Sequence, residues 1–96
     1  MKRQDLKPLL SDLRSGLASL YQDRLRGLYL YGSYSRGEED PESDIDILIV
    51  LDEVARYGDE VERTSTLVSS LSLHHGVSIS RLFVDERGNG QRHRAR

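Results

Sequence analysis

Two stretches read together decide the fold: Gly32-Ser33-Tyr34-Ser35-Arg36-Gly37 and Ser43-Asp44-Ile45-Asp46-Ile47-Leu48-Ile49-Val50. The run from Ile45 to Leu51 is apolar almost throughout, the pattern of a strand covered on both faces. Leu28-Tyr29-Leu30-Tyr31 is a short apolar and aromatic run set off by Gly27, and reads as the strand before it. Between them, Gly32 to Ser43 holds glycines, serines, a proline and a cluster of acids, which spells a loop. Its acids Glu38, Glu39, Asp40 and Glu42 read as a solvated acidic segment.

Asp44 and Asp46 stand two apart at the start of a strand, so their side chains share a face. Carboxylates that close resist joint ionisation unless a cation lies between them. Their neighbours Ile45, Ile47 and Leu48 raise the cost of leaving them unpaired. A hard divalent ion resolves the conflict, and Mg²⁺ characteristically combines one or two carboxylates with substrate phosphates. On the other side of the loop, Gly32 directly follows a strand. A glycine there lets backbone approach a bulky anion, and the Ser33 hydroxyl can donate to phosphate oxygens. Arg36 has two readings: a fork for phosphate, or an ion pair with the loop's own acids. With the strands as neighbours, polyphosphate would lie between the Gly32-Ser33 turn and a metal on the aspartates, which is the arrangement for phosphoryl or nucleotidyl transfer.

Working outward, Leu6, Leu9, Leu10, Leu13, Leu17 and Leu20 recur at helical spacing, predicting an amphipathic helix from about Asp5 to Tyr21 with Pro8 in its first turn. Val61, Thr64, Leu67, Val68 and Leu71 predict a second helix ending near His75, with Gly76 as its C-terminal cap. His74 and His75 fit there as surface residues favoured by the helix dipole. Val77 to Val84 predicts a third strand, Val77, Ile79, Arg81 and Phe83 alternating against Ser78, Ser80, Leu82 and Val84. The tyrosines read as core or rim, with Tyr34 inside the loop where it could touch a base. The expected fold is α/β (α+β): a small mixed sheet of three strands with two helices packed on it. Residues 1–84 form the domain and 85–96, rich in arginine and glycine, a polar basic tail that cannot bury a face.

Composition narrows the function classes. A net charge of −2 does not favour nucleic acid as a direct ligand. The absence of cysteine excludes disulfides, thiolate metal sites and cysteine nucleophiles, and fits a cytoplasmic setting. No apolar run approaches the ~20 residues of a membrane span. An EF-hand loop from Asp40 fails, with Ile45 where glycine is required, and one from Asp44 meets Leu48 at its fifth position. A P-loop fails for want of Gly-Lys-Ser/Thr.

Gly32-Ser33, Gly37 and Ser43-Asp44-Ile45-Asp46, set between two strands, resemble the minimal nucleotidyltransferases of the DNA polymerase β-like superfamily over roughly residues 5 to 84. The resemblance implies a nucleotidyltransferase fold, with Asp44 and Asp46 as catalytic Mg²⁺ ligands and Gly32, Ser33, Arg36 and Ser43 around the nucleotide. It further implies transfer of AMP from ATP to a protein hydroxyl, and pairing with a HEPN-type toxin as its antitoxin. Members of this family usually carry a third carboxylate on the strand after the second helix. Here Ser78 or Ser80 stands at that place, and Asp85 follows the apolar run. A catalytically weak antitoxin-like subunit or an Mg-NTP sensor is therefore the alternative expectation.

Overall fold

The structure, a computed structural model, describes residues 6–31 and 45–87. Helix α1 spans Leu6–Tyr21. A short 3₁₀ turn, Gln22–Arg24, leads into strand β1, Leu25–Tyr31. Strand β2 covers Ile45–Leu51, helix α2 covers Tyr57–His75 and strand β3 covers Ile79–Asp85. The sheet order is β1-β2-β3. β1 runs antiparallel to β2, and β2 runs parallel to β3. The parallel pair needs a crossover, which α2 supplies.

The leucine stripe works as its spacing predicts: Leu6, Leu9, Leu13, Leu17 and Tyr21 are buried, each three or four residues, about one helical turn, from the last. They pack on Ile45, Ile47, Ile49 and Leu51 of β2 and on Phe83 of β3, forming one core. Burial of each such side chain contributes about 1.5–3 kcal/mol against exposure. Leu20 is the exception in the series; it points into solvent.

Gly76 ends α2 in the left-handed region at φ 66°, with its N–H donated to the Ser72 carbonyl. The Val77 N–H reaches the same carbonyl at 3.0 Å, and the Ser72 hydroxyl donates to the Val77 carbonyl. Val77 and Ser78 are therefore engaged in leaving the helix, and β3 starts at Ile79 rather than at Val77. β1 starts earlier than expected, at Leu25, with an irregular register between Leu25 and Gly27. The Tyr29 ring lies over Gly27, where an added Cβ would meet its Cε2 at 2.7 Å.

One expectation is corrected. β2 is not covered on both faces by the described elements: its residues alternate strictly between buried and half-buried. Ile45, Ile47, Ile49 and Leu51 face the helices, whereas Asp46, Leu48 and Val50 face away. The tail expected over 85–96 starts later than its composition suggests: Asp85 is the last residue of β3 and is buried, Glu86 and Arg87 are exposed, and 88–96 lie outside the described residues. Among the described residues no helix is long and apolar enough to cross a membrane.

Candidate nucleotide and metal site

Of the site residues expected from the sequence, Asp46 is the one that falls among the described residues. It lies on the outer face of the central strand, between Tyr31 of β1 on one side and Ser80 of β3 on the other. Directly paired residues on neighbouring strands share a face, with strands about 4.8 Å apart. β1 ends at Tyr31, beside Asp46, and Gly32 is the next residue of the chain. The chain returns at Ile45, whose N–H is held by the Ser78 carbonyl at 2.9 Å. Tyr31 and Ile45, the described residues on either side of 32–44, thus lie at one end of the sheet. Gly32, Ser33, Tyr34, Arg36, Ser43 and Asp44 themselves lie outside the described residues.

The apolar setting of Asp46 differs from the sequence reading. Ile45 and Ile47 point to the opposite face, into the core, and only Leu48 shares the face of Asp46. Tyr29 and Tyr31 line the outer face on β1 and are 57% and 38% exposed. Hydroxyl and carboxylate oxygens at this end of the sheet are hard donors, suited to a divalent ion that also binds phosphate. Among the described residues, no three side chains of the ligating types gather.

Of the two serines expected on the strand after the second helix, one flanks Asp46 and the other precedes β3. Ser80 is the direct lateral partner of Asp46. Asp85 pairs instead with Leu51, at the far end of the strands, and faces the helices. It lies five positions beyond Ser80, roughly 16 Å along a strand. Its Oδ1 accepts the Arg87 N–H at 3.1 Å. Asp85 cannot serve the Asp46 site.

Several charged groups that the sequence reading passed over are held elsewhere. Glu60, only 4% exposed, accepts from the Tyr21 hydroxyl at 2.7 Å, from Arg63 Nε at 3.1 Å and from Arg24 Nη2 at 3.4 Å. Burial, and then the hydrogen bond to Glu60, pushes the Tyr21 phenol well above its ordinary range. Arg24 Nε also donates to Asp52 at 3.1 Å, which raises the Arg24 pKa and lowers that of Asp52. This network clamps α1, α2 and the start of β1 together at the sheet end remote from Asp46. At the other end of α2, His75 Nε2 meets Asp12 Oδ2 at 3.0 Å and ties the two helices. The dipole reading of His75 therefore omitted its partner on α1. Arg81 is the remaining case. It sits among apolar residues on the inward face of β3, where its Nε donates to Thr64 Oγ1 and its Nη2 to the Val61 carbonyl, both at 2.8 Å.

Residues 10–88 match the family model of the nucleotidyltransferase domain. The chain belongs to that family. A protein of Methanocaldococcus jannaschii, provisionally named a protein adenylyltransferase, is 29% identical over 87 residues, which span 81% of this chain and 87% of the relative. A second protein of that organism with the same kind of name is 36% identical over 77 residues, spanning 80% and 71%. The bifunctional uridylyltransferase/uridylyl-removing enzyme of Pseudomonas entomophila is 46% identical over 61 residues, 62% of this chain but 7% of that enzyme. No solved structure matches. Membership of the nucleotidyltransferase family implies a nucleoside triphosphate substrate and a divalent metal.

Proposed function

We propose that this nucleotidyltransferase moves AMP from ATP to a hydroxyl group of a protein. The observation that carries the reading is the position of Asp46: on the outer face of the sheet, beside the strand end that runs into Gly32. In this reading Asp44 and Asp46 are the catalytic carboxylates and hold Mg²⁺. Gly32, Ser33, Arg36 and Ser43 hold the nucleotide. The metal supplies charge neutralisation and orients the polyphosphate. The acceptor oxygen bonds to the α-phosphorus, the α–β phosphoanhydride bond breaks, pyrophosphate leaves with that electron pair, and the hydroxyl proton passes to solvent or a nearby base. Two relatives named as protein adenylyltransferases support a protein acceptor. A HEPN-type toxin as that acceptor, in a cytoplasmic toxin–antitoxin pair, is the partner this reading favours, with the unit that runs through the end of β3 at Asp85 carrying the site.

A second reading has its own observation. The strand position flanking Asp46 holds the hydroxyl of Ser80, and Asp85 lies too far away to replace a carboxylate there. A site with two acids fits an antitoxin-like subunit that binds its partner without turnover, or a sensor of Mg-NTP.

The deciding experiment incubates the protein and candidate partners with Mg²⁺ and ATP labelled at the α-phosphate. Labelled protein that disappears in Asp44→Asn with Asp46→Asn supports transfer. Label that persists in that double variant overturns the site. Mg²⁺-dependent ATP binding without label favours the sensor, and partner binding without nucleotide favours the subunit.

A further inference from the structure

The arginines of the described residues divide by their surroundings. Arg24 pairs with Asp52 and Glu60, Arg26 approaches Glu86, and Arg63 pairs with Glu60. Arg14, Arg56 and Arg87 are exposed, where water solvates them. Arg81 belongs to neither group. It is half-buried between β3 and α2, and its acceptors among the described residues are neutral: the Thr64 hydroxyl and the Val61 carbonyl. A guanidinium has five N–H donors in a rigid fork. Nε–H and one Nη2 N–H are engaged, which leaves Nη1 without an acceptor among the described residues. Burial lowers the Arg81 pKa, consistent with a cation that no carboxylate among the described residues compensates. Partly buried charges in proteins are as a rule matched by an opposite charge.

A cavity of about 390 Å³ adjoins this group, lined by Arg81 together with Tyr31, Tyr57, Val61, Ser80 and Leu82. Its volume lies at the small end of the ~300–1,000 Å³ typical of ligand sites. The lining mixes aromatic and apolar walls with two kinds of donor, hydroxyl and guanidinium. The Tyr57 ring is fixed in place, stacked edge-on against Phe83 at 5.5 Å with its hydroxyl accepting the Phe83 N–H at 3.2 Å. Arg81 is likewise held at two points, so its fork is positioned in advance and a ligand does not have to order it.

We propose that this cavity is an oxyanion-binding subsite in which Arg81 holds a phosphate or carboxylate group of a bound molecule. The inference stands apart from the metal reading, since it needs neither Asp46 nor a cation. The two sites are nonetheless neighbours: Ser80 lines the cavity and is also the lateral partner of Asp46. A ligand anchored at Arg81 therefore reaches the Asp46 face within the width of one strand.

The test uses the full chain in EDTA, with inorganic pyrophosphate and malonate as phosphate and carboxylate probes, titrated calorimetrically. Wild type binds one of them, and Arg81→Gln weakens that binding at least about tenfold, the scale of a charge-assisted hydrogen bond. Preference for pyrophosphate assigns a phosphate group to the subsite, and preference for malonate assigns a carboxylate. Binding of neither probe, or equal binding by Arg81→Gln, overturns the proposal. Because Arg81→Gln also loses ties to α2, wild type is treated in parallel with phenylglyoxal and mapped by mass spectrometry. The bound probe slows modification of Arg81 at least fivefold and leaves Arg14 unchanged; equal rates at Arg81 with and without the probe overturn it. Since every arm excludes divalent metal, failure here leaves Mg²⁺-dependent transfer standing, and failure of labelled-ATP transfer leaves this binding standing.

Discussion

Asp46 and Ser80 are direct lateral partners on parallel strands, facing the same side of the sheet. A carboxylate on one strand and a hydroxyl on the next, about 4.8 Å away, form a pair of oxygen donors whose spacing the backbone fixes. Ser80→Asp turns this pair into two carboxylates. In the absence of metal they repel, and one of them stays protonated at higher pH. With Mg²⁺ present they form a stronger oxygen cage. The expected outcome is Mg²⁺ affinity about tenfold above wild type, measured by metal-dependent thermal shift, with the apo protein less stable than wild type at pH 8. Equal metal affinity in the two proteins would show that Ser80 does not face the ion.

Asp46→Asn keeps the shape of the side chain and removes its charge. If Asp46 holds the ion, Mg²⁺-dependent nucleotide binding and any transfer fall by about 10²-fold or more, because a bound metal contributes several kcal/mol of charge stabilisation at ~1.4 kcal/mol per decade. Fluorescent-nucleotide titration with and without Mg²⁺ measures it. Undiminished Mg²⁺-dependent affinity would remove Asp46 from the site.

Tyr21 gives the protein an alkaline limit. Its phenol is held neutral in the folded chain by burial and by Glu60, while in the unfolded chain it ionises around 10.0. A pKa raised on folding means that the folded state keeps a proton the unfolded state releases. The contribution to stability is therefore whole below pH 10 and declines as pH rises above it. Urea unfolding at a series of pH values from 8 to 11.5 will show this decline, and Tyr21→Phe will flatten it. A matching slope in the variant would contradict the assignment. Asp52 acts at the other end of the scale: Arg24 lowers its pKa below the ordinary 3.8, so its contribution is present above about pH 4 and is lost as pH falls further.

Gln22 adopts φ 53°, in the left-handed region, where a side chain is strained. It sits between α1 and β1, and its carbonyl accepts the Leu25 N–H, so the turn cannot relax without losing that bond. Gln22→Gly relieves the strain at the cost of greater freedom in the unfolded chain. A net gain of about 1 kcal/mol corresponds to a rise in Tm of roughly 4–8 °C for a domain of this size. Differential scanning calorimetry decides it, and a lower Tm would mean that the turn is not strained.

Strong local signals made most of the fold legible. The leucine stripe placed α1, the apolar block placed β2 at its observed limits, and Gly76 ended α2, because each depends on local spacing or local backbone conformation. The errors arose where local pattern and tertiary context part. Leu48 and Val50 are apolar although they face away from the helices, so β2 read as covered on both sides. Arg26 and Gly27 hid the first half of β1, since neither suits a strand on its own. The Glu60 network was not legible at all: Tyr21 lies 39 residues away in sequence, and nothing near Glu60 marks it as buried. Arg81 did leave a signal, a lone cation on the apolar side of an alternating strand, though the sequence offered no account of what it touches. For the candidate site, the Gly32 to Asp46 motif was wholly legible as a pattern; the identity of the Asp46 neighbours needed the strand register.

Both helices lie on one side of the sheet, and Asp46 faces the other. A macromolecule that brings a hydroxyl to that aspartate from that side lays its own surface over Tyr29, Leu48 and Leu82, which share the face. Recognition of the acceptor and exclusion of water from the reacting phosphate would then be a single event, and a free hydroxyl in solution would gain neither.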